Sequence, residues 1–164
     1  MKINKAKGMS LLELTIVISI IAILTALIIP QFNRYTRNNA LQSAARELAG
    51  DIKIIRQRAM AGGPTTVPLP YTLQFLNNTT YSYTVPSDIL PYPALTFTKK
   101  VTNFSPDITF VQTFPLNTMT FQQRGTISET LGADRTITLT NGRGSTVVIT
   151  ANIVGRINVQ YTPQ

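Results

Sequence analysis

The chain contains no cysteine and no histidine, and only 13% of its 164 residues are charged. Without cysteine there is no disulfide, no thiolate nucleophile and no cysteine-based metal site. Without histidine the usual general base near neutral pH is missing, and so is the commonest metal ligand. Acidic residues are scarce as well: 7 Asp and Glu stand against 15 Lys and Arg, for a formal net charge of +8. Beyond residue 65 the carboxylates are Asp88, Asp107, Glu129 and Asp134. Their spacing suggests neither an acid–base couple nor a metal site. No glycine-rich phosphate-binding motif precedes a helix, and "GRG" at 142–144 reads as turn chemistry. This composition argues against an enzyme, and no cofactor is expected.

What the chain does have is apolar surface, at 43% hydrophobic residues. Met9 to Ile29 is a run of 21 residues whose only charge is Glu13. As a helix it would extend roughly 30 Å, about one bilayer core. Lys2, Lys5 and Lys7 precede it, so the N-terminal side is expected to stay cytoplasmic. A cleavable secretory signal would have a shorter apolar core followed by a small-residue cleavage site. Pro30, Gln31 and Phe32 follow this core and form no such site. A plain anchor explains the length but not Glu13, whose carboxylate costs roughly 2.5–3.5 kcal/mol at mid-helix depth.

The stretch "KGMSLLELTIVISIIAIL" (7–24) resembles the class III leader of type IV pilins and pseudopilins. The resemblance implies that a prepilin peptidase cuts between Gly8 and Met9 and that Met9 is then N-methylated. Phenylalanine is commoner in that family at the position Met9 holds. Glu13 becomes the fifth mature residue, and Pro30 falls where these subunits often carry a helix-distorting proline. Filament assembly buries the anchor helices away from water, and an unpaired buried carboxylate is costly. The partner implied for Glu13 is the free α-amino group of Met9 on a neighbouring subunit. Solvation of Glu13 at the headgroup level is the other reading open to it.

Downstream, "NNALQSAARELAGDIKIIRQRAMAGG" (38–63) places Leu41, Ala45, Leu48, Ile52, Ile55 and Ala59 at alternating steps of four and three. That is one helical face. Arg46, Glu47, Asp51, Lys53, Arg56 and Arg58 are assigned to the other, solvated faces. Gly62, Gly63 and Pro64 are a stop signal. One helix is therefore expected from about Met9 to Ala61, interrupted near Pro30. From residue 65 the composition shifts to Thr, Val, Tyr and Phe punctuated by Pro, Asn and Gly. Segments 71–75, 80–85, 95–101, 108–114, 119–125, 136–140, 145–151 and 156–161 read as strands. Segments 62–70 and 87–93 read as loops, and a hairpin turn is expected at Asn141–Gly144. The fold class is α+β: a long N-terminal helix packed on an antiparallel β-sheet head of one or two layers. The divisions are a leader at 1–8, a transmembrane and filament-core helix at 9–30, an amphipathic helix at 31–61 and a periplasmic β-rich head at 62–164.

"SAARELAGDIKIIRQRAMAGG" (43–63), "TFQQRGT" (120–126), "RTITLTNGRGSTVVIT" (135–150) and "VGRINV" (154–159) resemble the H-type minor pseudopilins of type II secretion and the related DNA-uptake minor pilins. Residues 65–118 match no pattern in that resemblance. The implied role is a structural, minor subunit of a type IV pilus or a secretion pseudopilus. Its implied partners are other subunits, the prepilin peptidase, an assembly platform with its ATPase, and membrane lipid. The implied location is the bacterial inner membrane and then the filament. A non-disulfide major pilin is a second reading. A DNA-binding minor pilin is a third, with Arg143 and Arg156 as candidate contacts beside Arg124 and Arg135. Gly155-Arg156 is followed by Ile157 and Asn158, so the second basic residue of the DNA-uptake pattern is absent. Gly125 and Gly155 are equally open to a reading as simple turns and bulges.

Overall fold

A computed structural model of the chain describes residues 10–61, 71–85, 94–128 and 134–164. The expected leader, Gly8, Met9, the Gly62–Pro64 stop signal, the loops at 62–70 and 87–93, Asp88 and Glu129 lie outside the described residues. Helix α1 spans Leu11–Ala61 (51 residues). The chain separates into an N-terminal unit, residues 1–36, and a head, residues 37–164.

In the N-terminal unit the expected interruption near Pro30 does not occur. The helix is assigned without a break through that residue. Proline removes one N–H donor and displaces one carbonyl, and turns intact on both sides carry the helix across that single defect.

Among its described residues the head contains eight strands, each on a segment expected to be extended. They are β1 (Tyr71–Phe75), β2 (Thr80–Val85), β3 (Leu95–Lys100), β4 (Thr109–Gln112), β5 (Thr118–Phe121), β6 (Arg135–Thr140), β7 (Thr146–Ala151) and β8 (Ile157–Thr162). They form two antiparallel four-stranded sheets, ordered β3-β2-β1-β5 and β4-β6-β7-β8. The head is thus α+β, with the expected sheet resolved into two.

Strand periodicity of two explains how each sheet divides its residues. In the first sheet the register aligns Phe97, Tyr83, Leu73 and Met119 on one face. In the second it aligns Phe110, Leu139, Val147 and Tyr161, and one row on, Ile137, Ile149 and Val159. These faces supply the core together with the helical stripe. Leu41, Ala45, Leu48, Ile52, Ile55 and Ala59 are all fully buried, as the spacing predicted. Each such Leu or Ile contributes roughly 1.5–3 kcal/mol. The opposite face of each sheet carries a row of threonines crossing all four strands: Thr96–Thr84–Thr72–Thr120 and Thr109–Thr140–Thr146–Thr162. Threonine suits such a face because its branched Cβ favours extended backbone while its hydroxyl meets water.

Candidate functional site

The N-terminal unit presents a helix surface that is apolar and uncovered. An 18-residue window within α1 has a mean hydropathy of 2.7, and none of it is buried. Leu11, Leu12, Ile23, Leu27 and Ile28 are each more than 60% exposed. By length and composition this helix can cross a membrane. The three hydroxyls between Leu11 and Ile29 are already satisfied within the helix: Thr15 Oγ1 donates to Leu12 O at 2.8 Å, Ser19 Oγ to Thr15 O at 2.8 Å and Thr25 Oγ1 to Ile21 O at 2.7 Å. Side chains bonded in this way bring no open donor into an apolar medium. Glu13 stands in the first turn, exposed, where the helix N-terminus favours a negative charge.

In the head, charge is expected on the solvated faces of the helix, and Asp51 departs from that expectation most. It is 4% exposed. Asp51 belongs to a second set with the same three- and four-residue steps: Leu41, Ala44, Leu48, Asp51 and Ile55. Its carboxylate accepts a hydrogen bond from Tyr81 Oη at 2.7 Å and lies 2.9 Å from Lys99 Nζ. Lys99 also pairs with Glu47 at 2.7 Å. The register explains the arrangement. Lys99 stands opposite Tyr81 and two residues beyond Phe97, on the core side of edge strand β3, so its stem runs inward to the helix. Burial raises the Tyr81 phenol well above its usual range, and the hydrogen bond and charge of Asp51 raise it further. Burial lowers the Lys99 ammonium, but hydrogen bonds and charges from Glu47 and Asp51 outweigh it and push the group up to about 12. The inward-pointing lysine also guards an open sheet edge.

A second cluster centres on Asp107. Arg37 lies 2.9 Å from Asp107. Asp107 also accepts from the Ser105 hydroxyl and from Gly142 N–H at 3.2 Å. Chiefly the Ser105 hydrogen bond, assisted by Gly142 N–H and Arg37 against a partial burial cost, holds its carboxyl below the usual range. The adjoining turn is the one expected at Asn141–Gly144. Gly144 N–H donates to Asn141 O at 3.0 Å, and Asn141 Oδ1 accepts from Arg143 N–H and Ser145 N–H, both at 3.1 Å.

A third cluster joins the two glycines singled out from the sequence. Gly125 and Gly155 have φ of +72° and +78°, a conformation that glycine adopts without steric cost. Arg56 Nε donates to Gly125 O at 3.1 Å and its Nη2 to Val154 O at 3.3 Å. Ile127 N–H donates to Ile153 O at 3.0 Å. The two turns are thereby tied to each other and to the helix. Arg56, like Asp51, is not on a freely solvated face.

Among the four arginines of the candidate basic patch, Arg143 stands apart from Arg135 and Arg156. Arg135 pairs with Ala151 at the end of β7 that leads to Arg156, whereas Arg143 precedes β7 at its opposite end. About 20 Å of strand separates the two ends. Among the described residues no three carboxylates come together to hold a metal ion.

Residues 3–29 match the prokaryotic N-terminal methylation motif. The type IV minor pilin FimU of Pseudomonas aeruginosa strain PAO1 has a similar solved structure, 20% identical in sequence. That match covers 73% of this chain and 91% of that one, with a TM-score of 0.52. No curated protein matches the sequence significantly.

Proposed function

We propose, for a chain whose N-terminal motif and fold are those of the type IV pilin and pseudopilin superfamily, that it is a structural subunit of a type IV pilus or a type II secretion pseudopilus. The reading rests above all on one observation. A lone carboxylate, Glu13, stands on an uncovered, membrane-length apolar helix inside the matched methylation motif. Prepilin peptidase removes residues 1–8, and Met9 becomes the methylated N-terminus. The helix holds the subunit in the inner membrane with the head in the periplasm. A platform protein and its ATPase then lift the subunit into the filament. There Glu13 pairs with the Met9 amine of a neighbour, and Pro30 adapts the helix to packing. The role is mechanical. The likeness to FimU favours a minor over a major subunit.

The pairing predicts a separation of phenotypes. Glu13→Ala makes the segment more apolar, so membrane insertion is retained. Cleavage at Gly8–Met9 is retained as well. Incorporation into sheared filaments fails, because the neighbour's amine loses its counter-charge in a low-dielectric core. Glu13→Asp falls in between, its charge kept but its reach one methylene shorter. Normal incorporation of Glu13→Ala would remove the inter-subunit pairing from this account.

A further inference from the structure

Strand β8 is the edge of the second sheet, and among the described residues nothing hydrogen-bonds to its outer side. Its core-side residues overhang the helix. Val147, their neighbour on β7, is 1% exposed, whereas Val159 is 40% exposed. The space beneath is kept open by small helix residues. A Cβ on Gly50 would meet nothing within 4 Å. Two hollows result, of about 440 and 460 Å³, which both include Lys53 in their walls. The first has a floor of Ala45, Ala49, Gly50 and Val159. The second lies between Arg56 on the helix and Arg156 just before β8.

Together they make a groove along α1 from Gln42 to Met60, roughly 27 Å of helix, the span of about eight extended residues. Its charge has one sign. Arg46, Lys53, Arg56 and Arg156 line it, with no carboxylate. Arg56 is occupied by two carbonyls, but Lys53 and Arg156 make no ion pair among the described residues.

We propose that this groove receives an extended acidic segment of another polypeptide, which pairs with β8 as a fifth strand of the second sheet. The segment's main chain satisfies the open edge, its apolar side chains fill the hollow beside Gly50 and Val159, and its carboxylates meet Arg46, Lys53 and Arg156. A second copy of this chain is a poor occupant. It is net positive even without Lys2, Lys5 and Lys7 and so repels itself, and no two of its acidic residues stand closer than four positions. A DNA duplex is too broad to enter an apolar-floored groove of this size. The inference is independent of filament assembly and is tested on its own.

The test uses the full chain in detergent and a labelled, end-blocked octapeptide of Val, Thr and Glu with four glutamates, followed by fluorescence anisotropy. Saturable binding is expected, at least tenfold tighter than for the same peptide with lysine in place of glutamate. N-methylation of alternate amides, which removes the pairing donors, abolishes it. Lys53→Glu with Arg156→Glu weakens the acidic peptide at least tenfold and reverses the preference toward the lysine peptide, an outcome that a misfolded head could not give. Lys100→Glu, on the other sheet's edge strand, leaves affinity unchanged. Absence of binding, equal binding of the N-methylated peptide, equal loss in Lys100→Glu, or displacement of the peptide by duplex DNA at physiological salt would each overturn the proposal.

Discussion

Lys99 Nζ, carried on an edge strand, lies 2.9 Å from the buried carboxylate of Asp51 on the helix. The pair ties the first sheet to α1, with Tyr81 completing the coordination of the carboxylate. Removing one partner leaves a buried charge uncompensated. Lys99→Met is therefore expected to destabilise the head by about 2–4 kcal/mol, at the lower end because the lysine is partly exposed. Asp51→Asn combined with Lys99→Met recovers part of that loss, since no charge is then stranded. Thermal unfolding of the processed chain in detergent, taken through a double-mutant cycle, measures the coupling.

The same cluster sets the alkaline limit. Both Tyr81 and Lys99 have folded pKa values raised above their ordinary ones. A raised value means that the folded state keeps its proton longer than the unfolded chain. Stability is then fully present below about pH 10 and falls as pH rises beyond it. Tyr81→Phe should flatten this fall relative to the wild type. An identical alkaline limb in the two proteins would remove Tyr81 from the explanation.

At the acid end the sign reverses. The folded pKa of Asp107 is depressed, chiefly by the Ser105 hydroxyl and then by Gly142 N–H and Arg37. Its contribution is complete above the ordinary carboxylate range, about pH 4, and is lost as pH falls through the folded value. Asp107→Asn should be less stable than wild type at pH 7, with the gap narrowing toward pH 2. Unfolding midpoints across that range read the difference directly.

Gly155 and Gly50 should respond to alanine in opposite directions. A Cβ at Gly155 would sit 2.2 Å from Gly125 O and 2.7 Å from Arg56 Nε, on a backbone with φ +78°. Gly155→Ala is expected to cost more than the roughly 1–2 kcal/mol of the left-handed conformation alone. Gly50 is mid-helix and a Cβ added there would meet nothing within 4 Å, so Gly50→Ala should stabilise by up to about 1 kcal/mol. Melting temperatures of the two variants test both signs in one experiment.

Much of this fold was legible because its signals are local. The four-and-three spacing from Leu41 to Ala59 marked the buried stripe. Runs rich in β-branched and aromatic residues marked all eight strands, and Asn141–Gly144 marked its hairpin. Asp51 was assigned to water because it is charged, although its spacing from Leu48 and Ile55 placed it on the stripe. Its burial depends on Lys99, 48 residues away, and a pairing at that range has no sequence period. Gly125 and Gly155 showed the same limit. Each read as a turn alone, but their contact through Arg56 depends on how two distant turns pack. The division into two sheets follows from β5 pairing with β1 rather than with β4, again a long-range choice.

DNA binding makes a clear contrast with a structural role. Arg143 and Arg156 flank β7 at opposite ends, so the two candidate contacts do not form one patch. The full chain should therefore show negligible affinity for duplex DNA at physiological salt. Binding that falls steeply with rising salt, and weakens in Arg143→Ala with Arg156→Ala, would instead support DNA recognition.

The central claim is that this chain is a processed filament subunit, and its N-terminus reports on it most directly. The protein should be recovered from sheared filaments and from membranes separately, and its intact mass and first residues determined. The account predicts that both fractions start at Met9 with one added methyl, having lost Lys2, Lys5 and Lys7 and so three of the charges behind its formal +8. Residues 1–8 found intact in cells with active prepilin peptidase, or a processed chain absent from every filament fraction, would contradict it.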